Sequence, residues 1–383
     1  MSRGRALGSA FKKSVIEVPY LSGTLIRVLE FCRYIFAKTF LRCEDIPSKS
    51  EQSHLEEVEH NLYCAGCLVY EPPRLTSQTM NFVHHHDAYL IGYPPIGITS
   101  DGDIIRDTIF RTDARTFAAI SSLHLKAQWE IAGIKRGKLL NVTTINMPTC
   151  SLVSAWNHFG HFIPEHFLKV YHIQKEFNVN DFQYVIEPQA PQWKKHLLSL
   201  AGINEKNIFE WSGQSLIFKK LVVPDYPEIS QEAFDWINSL FPPISVTSPT
   251  LKLYLSRQNL QSRYIINAAE VEKELVSQGF LIVIPEELSL DEQVALFRSA
   301  RVIAGPNGSA FTNQIFMGPG SHVVEFFSSD RVHYFNRQVA KVKEHKHYGL
   351  LDPRTGSFTK DNGVLVDIVQ LKRLLLQIEN EIY

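Results

Sequence analysis

The chain has 383 residues, long enough for two domains that each bury a sizeable core without disulfide staples. With 44% hydrophobic and 21% charged residues it has the composition of an ordinary folded globular protein, which excludes a disordered chain. The formal net charge of -1 gives no global basic field, so no nucleic-acid partner is expected.

The first 45 residues stand apart. Arg3, Arg5, Lys12, Lys13, Arg27, Arg33, Lys38 and Arg42 outnumber acidic residues such as Glu17 and Glu30, and on a helical projection Leu21, Leu25, Val28, Cys32, Ile35 and Phe36 share one stripe. Two readings are open: a basic amphipathic helix lying on an anionic membrane surface, or a helix docked on the protein's own core. The start lacks the continuous apolar stretch of a secretory signal, and no run approaches the roughly 20 apolar residues of a membrane span. A cytoplasmic location, with peripheral contact at the inner face of the cytoplasmic membrane, is the expectation.

Cys64 and Cys67 form a lone C-x-x-C among five cysteines, without the second pair a zinc site needs, and are read as reduced thiols. "HHHD" (84–87) invites a metal, yet on a strand only His84 and His86 share a face. "DGD" (101–103) imitates an acidic metal motif but lies between β-type runs and reads as a hairpin turn.

From residue 139 strands and helices alternate. "LLNVTTINM" reads as a strand and 161–177 as a helix with Pro164 in its first turn. "FQYVIEP", a helix ending at Gly202, and the strand "NIFEW" complete a β-α-β-α-β unit. Residues 241–250, "FPPISVTSPT", read as a linker. The alternation then restarts with "LKLYLS", a helix stopped by Gly279, "FLIVI", a helix opened by a capping box from Ser289 to Glu292, "RVIA", a loop and "HVVEFF". A periodic helix follows at the C-terminus, with Ile368, Leu371, Leu375, Ile378 and Ile382 on one face. The divisions expected are 1–45, 46–240, the linker 241–250, 251–345 and 346–383. The fold class is α/β: two doubly wound units in series, with the cleft between them as the default ligand site.

Two constellations carry chemistry. Ser256, Arg257 and Arg263 follow the first strand of the second unit, and the loop 305–309 follows its third. Guanidinium forks beside a glycine-rich turn that opens a helix suit a diphosphate; surface arginines are the other reading. Neither a dinucleotide G-x-G-x-x-G nor a P-loop pattern is present. In the first unit His161 and Glu165 lie one helical turn apart, with Ile163, Phe167, Val170 and Phe177 on the opposite stripe. Such a pair can remove a proton from a substrate, and it can equally be a solvated helix face.

These residues resemble glycosyltransferase family 61. Residues 253–327 carry its elements in order: Ser256-Arg257, Arg263 ahead of Asn267, "ELSLDEQ" before an apolar strand, the loop "GPNGSAFTN", and "GPGSHVVE" ending at Glu325. "WNHFGHFIPEHFLKVY" is similar to the family's Asn-x-x-His-Trp segment. The resemblance implies a GT-B fold of two facing Rossmann-like domains, 46–240 on the acceptor side and 251–345 for the nucleotide sugar. It implies an inverting hexosyl or pentosyl transfer from a nucleotide-sugar donor to a hydroxyl of a glycan or lipid-linked acceptor in cell-surface polysaccharide synthesis, with no obligatory metal. By position it assigns Arg257, Arg263, Gly308, Ser309, Thr312 and Asn313 to the donor nucleotide and diphosphate, Glu325 to sugar or ribose hydroxyls, and His161 and Glu165 to catalysis, Glu165 as the base. The chain departs from the pattern at Asn307, where a His is expected, at Ser309 for Ala, and at Phe162 for Trp. Asn307 motivates the alternative, a non-catalytic protein of this fold that binds a glycan or partner.

Overall fold

The computed structural model describes residues 67–69, 82–91, 96–100, 104–105, 142–153, 158–212, 214–224, 229–243, 249–258, 260, 262–328, 335–354 and 363–382. The basic N-terminal segment, Cys64 and the "DGD" turn lie outside them. Strand β1 (Cys67–Val69) comes first and joins the second of two sheets.

The first sheet contains β2 (Phe82–Ile91), β3 (Ile96–Ile98), β4 (Ile104–Ile105), β5 (Val142–Ile145), β6 (Thr149–Ser151), β7 (Gln183–Ile186), β8 (Ile208–Glu210) and β9 (Ser215–Pro224). Its order is β4-β3-β2-β9-β6-β7-β8, with β5 alongside β9. The stretch β9-β6-β7-β8 is parallel, whereas β2, β3 and β4 pair antiparallel. The first unit is therefore a mixed sheet rather than a purely doubly wound one. Gly97 pairs with Ile105 and Ile98 with Ile104 in an antiparallel arrangement. In "HHHD", His86 and Asp87 are exposed and Asp87 pairs with Lys219 at 2.5 Å.

Helix α1 (Leu168–Glu176) is preceded by a single α-turn, Phe159–His161, and a π-helical stretch, Phe162–Phe167. Pro164 has no N–H to give to an α-ladder, which helps the backbone widen there. Helix α2 (Gln192–Leu200) ends before Gly202, whose φ of 80° closes the turn to β8. After β9, helix α3 (Gln231–Ser239) starts at Ser230, whose hydroxyl accepts from the Ala233 N–H.

The second sheet is built from β10 (Leu251–Leu255), α4 (Ala268–Ser277), β11 (Phe280–Val283), α5 (Leu290–Arg298), β12 (Ala300–Pro306), a 3₁₀ stretch Ser309–Phe316, β13 (His322–Phe327), α6 (Phe335–Val342) and β14 (Lys346–Leu351). Its strand order is β1-β14-β13-β12-β10-β11. All neighbours are parallel except β1 with β14. The capping box at Ser289 and Glu292 forms as the sequence implies. Helix α7 (Ile368–Ile382) packs on this sheet through Leu371, Leu374, Leu375 and Ile378, with Lys346 and Tyr348 of β14 bonded to its Glu381.

The two units share a core. One apolar cluster runs from Phe162, Phe167 and Ile186 through Ile237 and Phe241 to Leu253, Phe311 and Val323. Helix α3 is the strut: Trp236 packs on Phe167 and Tyr171, and the Asn238 amide donates to the Ile315 carbonyl at 2.8 Å. Arg298 then grips the Asn238 and Pro242 carbonyls. The start of the expected linker is thus anchored, with Phe241 buried.

Candidate active site

Taken in chain order, the parallel strands β10 to β14 lie 2-1-3-4-5 across the sheet. The direction of winding reverses between β10 and β12, and open α/β sheets take ligands beyond the carboxyl ends at that point. Ser256 and Arg257 leave β10 there, and Asn307, Gly308 and Ser309 leave β12.

Gly308 lies against Arg257: a Cβ on Gly308 would come within 2.3 Å of the Arg257 Nη1. The side chain at 308 is missing because the guanidinium occupies its space. Burial lowers the Arg257 pKa below its ordinary value and the nearby Glu286 opposes that shift, yet a guanidinium stays charged throughout. Among the described residues the Arg257 Nε has no hydrogen-bond partner. The Ser256 N–H is held by the Val283 carbonyl, and its buried hydroxyl faces the Gln258 N–H at 3.4 Å.

Arg263, at a φ of 57°, donates through Nη1 to the Asn307 Oδ1 at 3.1 Å. The Asn307 amide in turn donates to Glu325 at 2.9 Å. Glu325 is fully buried and takes further bonds from Asn336 at 2.6 Å and His347 at 2.8 Å. Glu325 is therefore a hub beneath the loop. A carboxamide carries an acceptor oxygen and a donor NH2 group, and Asn307 uses one of each to join Arg263 to that hub.

Thr312 and Asn313 are buried behind the loop. The Asn313 amide donates to Gln293 at 2.8 Å, and Gln293 donates to the Pro285 and Leu288 carbonyls. The "DEQ" and "TN" elements thus lock α5 to the 3₁₀ stretch, and the Thr312 hydroxyl finds no partner among the described residues.

Across from this loop stands the turn 158–167. A Cβ on Gly160 would meet the Ser309 Oγ at 2.9 Å and its Cα at 3.0 Å, so only glycine allows the two units this contact. His161 Nδ1 lies 2.5 Å from Glu165 Oε1. The His161 side chain is 31% exposed and that of Glu165 only 7%, so the carboxylate lies behind the imidazole. The solvated-face reading fails here: residues 162 to 171 are buried on every side, because the second unit and α3 cover the face turned away from the first sheet. Phe177, expected in the core stripe, is 39% exposed. Phe162 packs edge-on against Trp193 at 5.5 Å, with the Lys194 ammonium 4.1 Å from its ring centre. Lys194 itself is buried against Glu187. His166 is pushed well below its ordinary pKa, chiefly by burial, and is held neutral.

His158 was not singled out by the sequence reasoning, because helical spacing selects pairs inside a helix and His158 sits just ahead of one. Its Nδ1 lies 3.0 Å from the Ser309 Oγ, and its ring centre 4.6 Å from that of His161. Loss of water around the enclosed part of the ring, then His161, Arg263 and Arg257, lower its pKa to about 4. Its place at the strand-to-helix junction, next to the His161 pair, was the signal that could have found it.

The fold and this rim define an α/β protein with a cationic, glycine-lined loop at a switch point, faced by an imidazole–carboxylate pair. Residues 159–324, which supply most of these groups, match the family model described as Glycosyltransferase 61. A glycosyltransferase takes a sugar from a donor and delivers it to an acceptor. A search of curated proteins found no match. Among the described residues no helix is long and apolar enough to cross a membrane.

Proposed function

We propose that the protein is an inverting glycosyltransferase that uses a nucleoside-diphosphate sugar and delivers it to a hydroxyl of a glycan or lipid-linked acceptor. The observation that carries this reading is the meeting of Arg257, Arg263 and the Gly308–Ser309 turn at the switch point, opposite His161 and Glu165.

In the reaction the acceptor oxygen attacks the anomeric carbon from the face opposite the diphosphate. A C–O bond forms, the bond from that carbon to the phosphate oxygen breaks, and the electron pair leaves on the diphosphate. Arg257, Arg263 and the backbone N–H groups of the turn meet the charge that develops there. The acceptor proton needs a base. The sequence expectation gave that role to Glu165, but its burial leads us to assign it to His161. With Nδ1–H donating to Glu165, Nε2 is the nitrogen that takes the proton, and the buried carboxylate orients the ring and stabilises the imidazolium. Glu325 and Asn307 act from beneath by fixing Arg263, and Asn313 by fixing the turn through Gln293. Residues 1–45 are proposed to bring the enzyme to an anionic membrane surface, so their removal is expected to reduce liposome binding.

A panel of UDP-, GDP-, dTDP- and CMP-sugars, read for binding by calorimetry and for donor turnover, tests the proposal. At least one diphosphate sugar is expected to bind and turn over. Binding of none would overturn the reading, and binding of a CMP-sugar alone would overturn the diphosphate assignment.

A further inference from the structure

We infer that His158 is a donor-binding residue of this site, contacting through Nε2–H the phosphate from which the sugar departs. The inference rests on the nucleotide-sugar reading above and adds to it a group contributed by the opposite unit.

Position is the first argument. His158 stands at the seam, with its ring against His161 on the acceptor side and its Nδ1 on Ser309 of the anion loop. A donor lying from the loop toward His161 passes its nucleoside end first and its sugar-bearing phosphate last. The group between Ser309 and His161 therefore meets the phosphate next to the breaking bond.

Chemistry is the second. With Nδ1 accepting the Ser309 hydroxyl proton, the neutral ring carries its hydrogen on Nε2. Loss of water around the enclosed part of the ring, then His161 and the Arg263 and Arg257 guanidinium groups, disfavour the charged form, so the imidazole serves as a neutral donor. When the C–O bond breaks, the electron pair settles on the phosphate oxygen and the Nε2–H bond to that oxygen strengthens without proton transfer. Exposure is the third: His158 is the exposed member of this cluster, so its remaining edge is not consumed by packing.

The test compares nucleoside 5′-diphosphates with the matching 5′-monophosphates of uridine, guanosine, thymidine and cytidine, by calorimetry, on the full chain. For whichever diphosphate the wild type binds, His158→Ala is expected to weaken affinity at least tenfold and change the monophosphate less than twofold. His158→Gln, whose amide still donates, is expected to recover most of the loss. Equal diphosphate affinity in wild type and His158→Ala would overturn the inference, as would equal losses for mono- and diphosphate. If the wild type binds none of these nucleotides, the nucleotide-sugar reading itself falls and takes the role of His158 with it.

Discussion

The turn 305–316 and the turn 158–167 face each other across one seam and are built in opposite ways. The first is over-determined: a parallel sheet aims it, Gln293 and Asn313 clamp it, and Glu325 holds it from below through Asn307. The second is irregular, with a π-helical stretch, no side-chain cap at its start, and a glycine where a side chain would collide with its neighbour. The contrast teaches a division of labour. A charge-bearing diphosphate needs rigid, pre-aimed donors, while a proton acceptor needs one side chain brought out of the helical register and backed by a buried partner.

The sharpest way to break the comparison is on the irregular side. His161→Ala is expected to lower donor turnover by about 10²–10⁴-fold, as loss of a positioned base does, with nucleotide affinity unchanged. Glu165→Gln is expected to lower turnover less and to shift the acid limb of the pH–rate profile. A larger loss in Glu165→Gln than in His161→Ala would return the base to Glu165.

On the rigid side, Arg257→Ala is expected to weaken nucleotide binding by about 1.5–3 kcal/mol, the cost of a charged hydrogen bond. Gly308→Ala probes the same contact from the backbone. Its methyl displaces only the far end of a flexible side chain, so calorimetry is expected to show weaker binding while the melting temperature holds.

Asn307→Ala removes the link between Arg263 and a buried carboxylate, and denaturant titration is expected to show a loss of about 1–3 kcal/mol. Asn307→His, which keeps a donor and an acceptor, is expected to lose less.

The smallest expected effect is on pH. Burial holds His322 near a pKa of about 4 and His345 near about 3, against an unfolded value of 6.5. The folded state thus binds fewer protons than the unfolded one, so the stability these residues contribute is full above about pH 6.5 and declines as the pH falls from there toward 4 and 3. The melting temperature is expected to drop over that range, and His322→Gln with His345→Gln to flatten the drop.

The same contrast explains what the sequence discloses. The strands β10, β12 and β13 are legible because continuous apolar runs mark strands buried on both faces, and β11 is legible by the same kind of run although Leu281 and Ile282 are exposed at the sheet edge. Strand β14, "KHYGLL", starts with two polar residues and carries a glycine; β9 is interrupted by Lys219 and Lys220; β6 is three residues long. None of them shows a period long enough to read. The arginines and the glycine loop of the site were legible because their chemistry is local. The burial of Glu165 was not, since it depends on what the second unit and α3 lay over a helix whose own pattern describes only one neighbour. Nor was the hub at Glu325, whose partners Asn307, Asn336 and His347 come from separate loops and elements.

The contact between Gly160 and Ser309 has a practical consequence for recombination. It works as a gauge block between two castings: the halves mate only at one separation, set by a missing methyl group. A chimaera that grafts residues 251–382 from another chain onto this first unit will assemble in register only if position 160 stays glycine and the grafted turn keeps a residue no larger than serine at 309. Choosing crossover points therefore means matching that pair before matching any residue that touches the sugar.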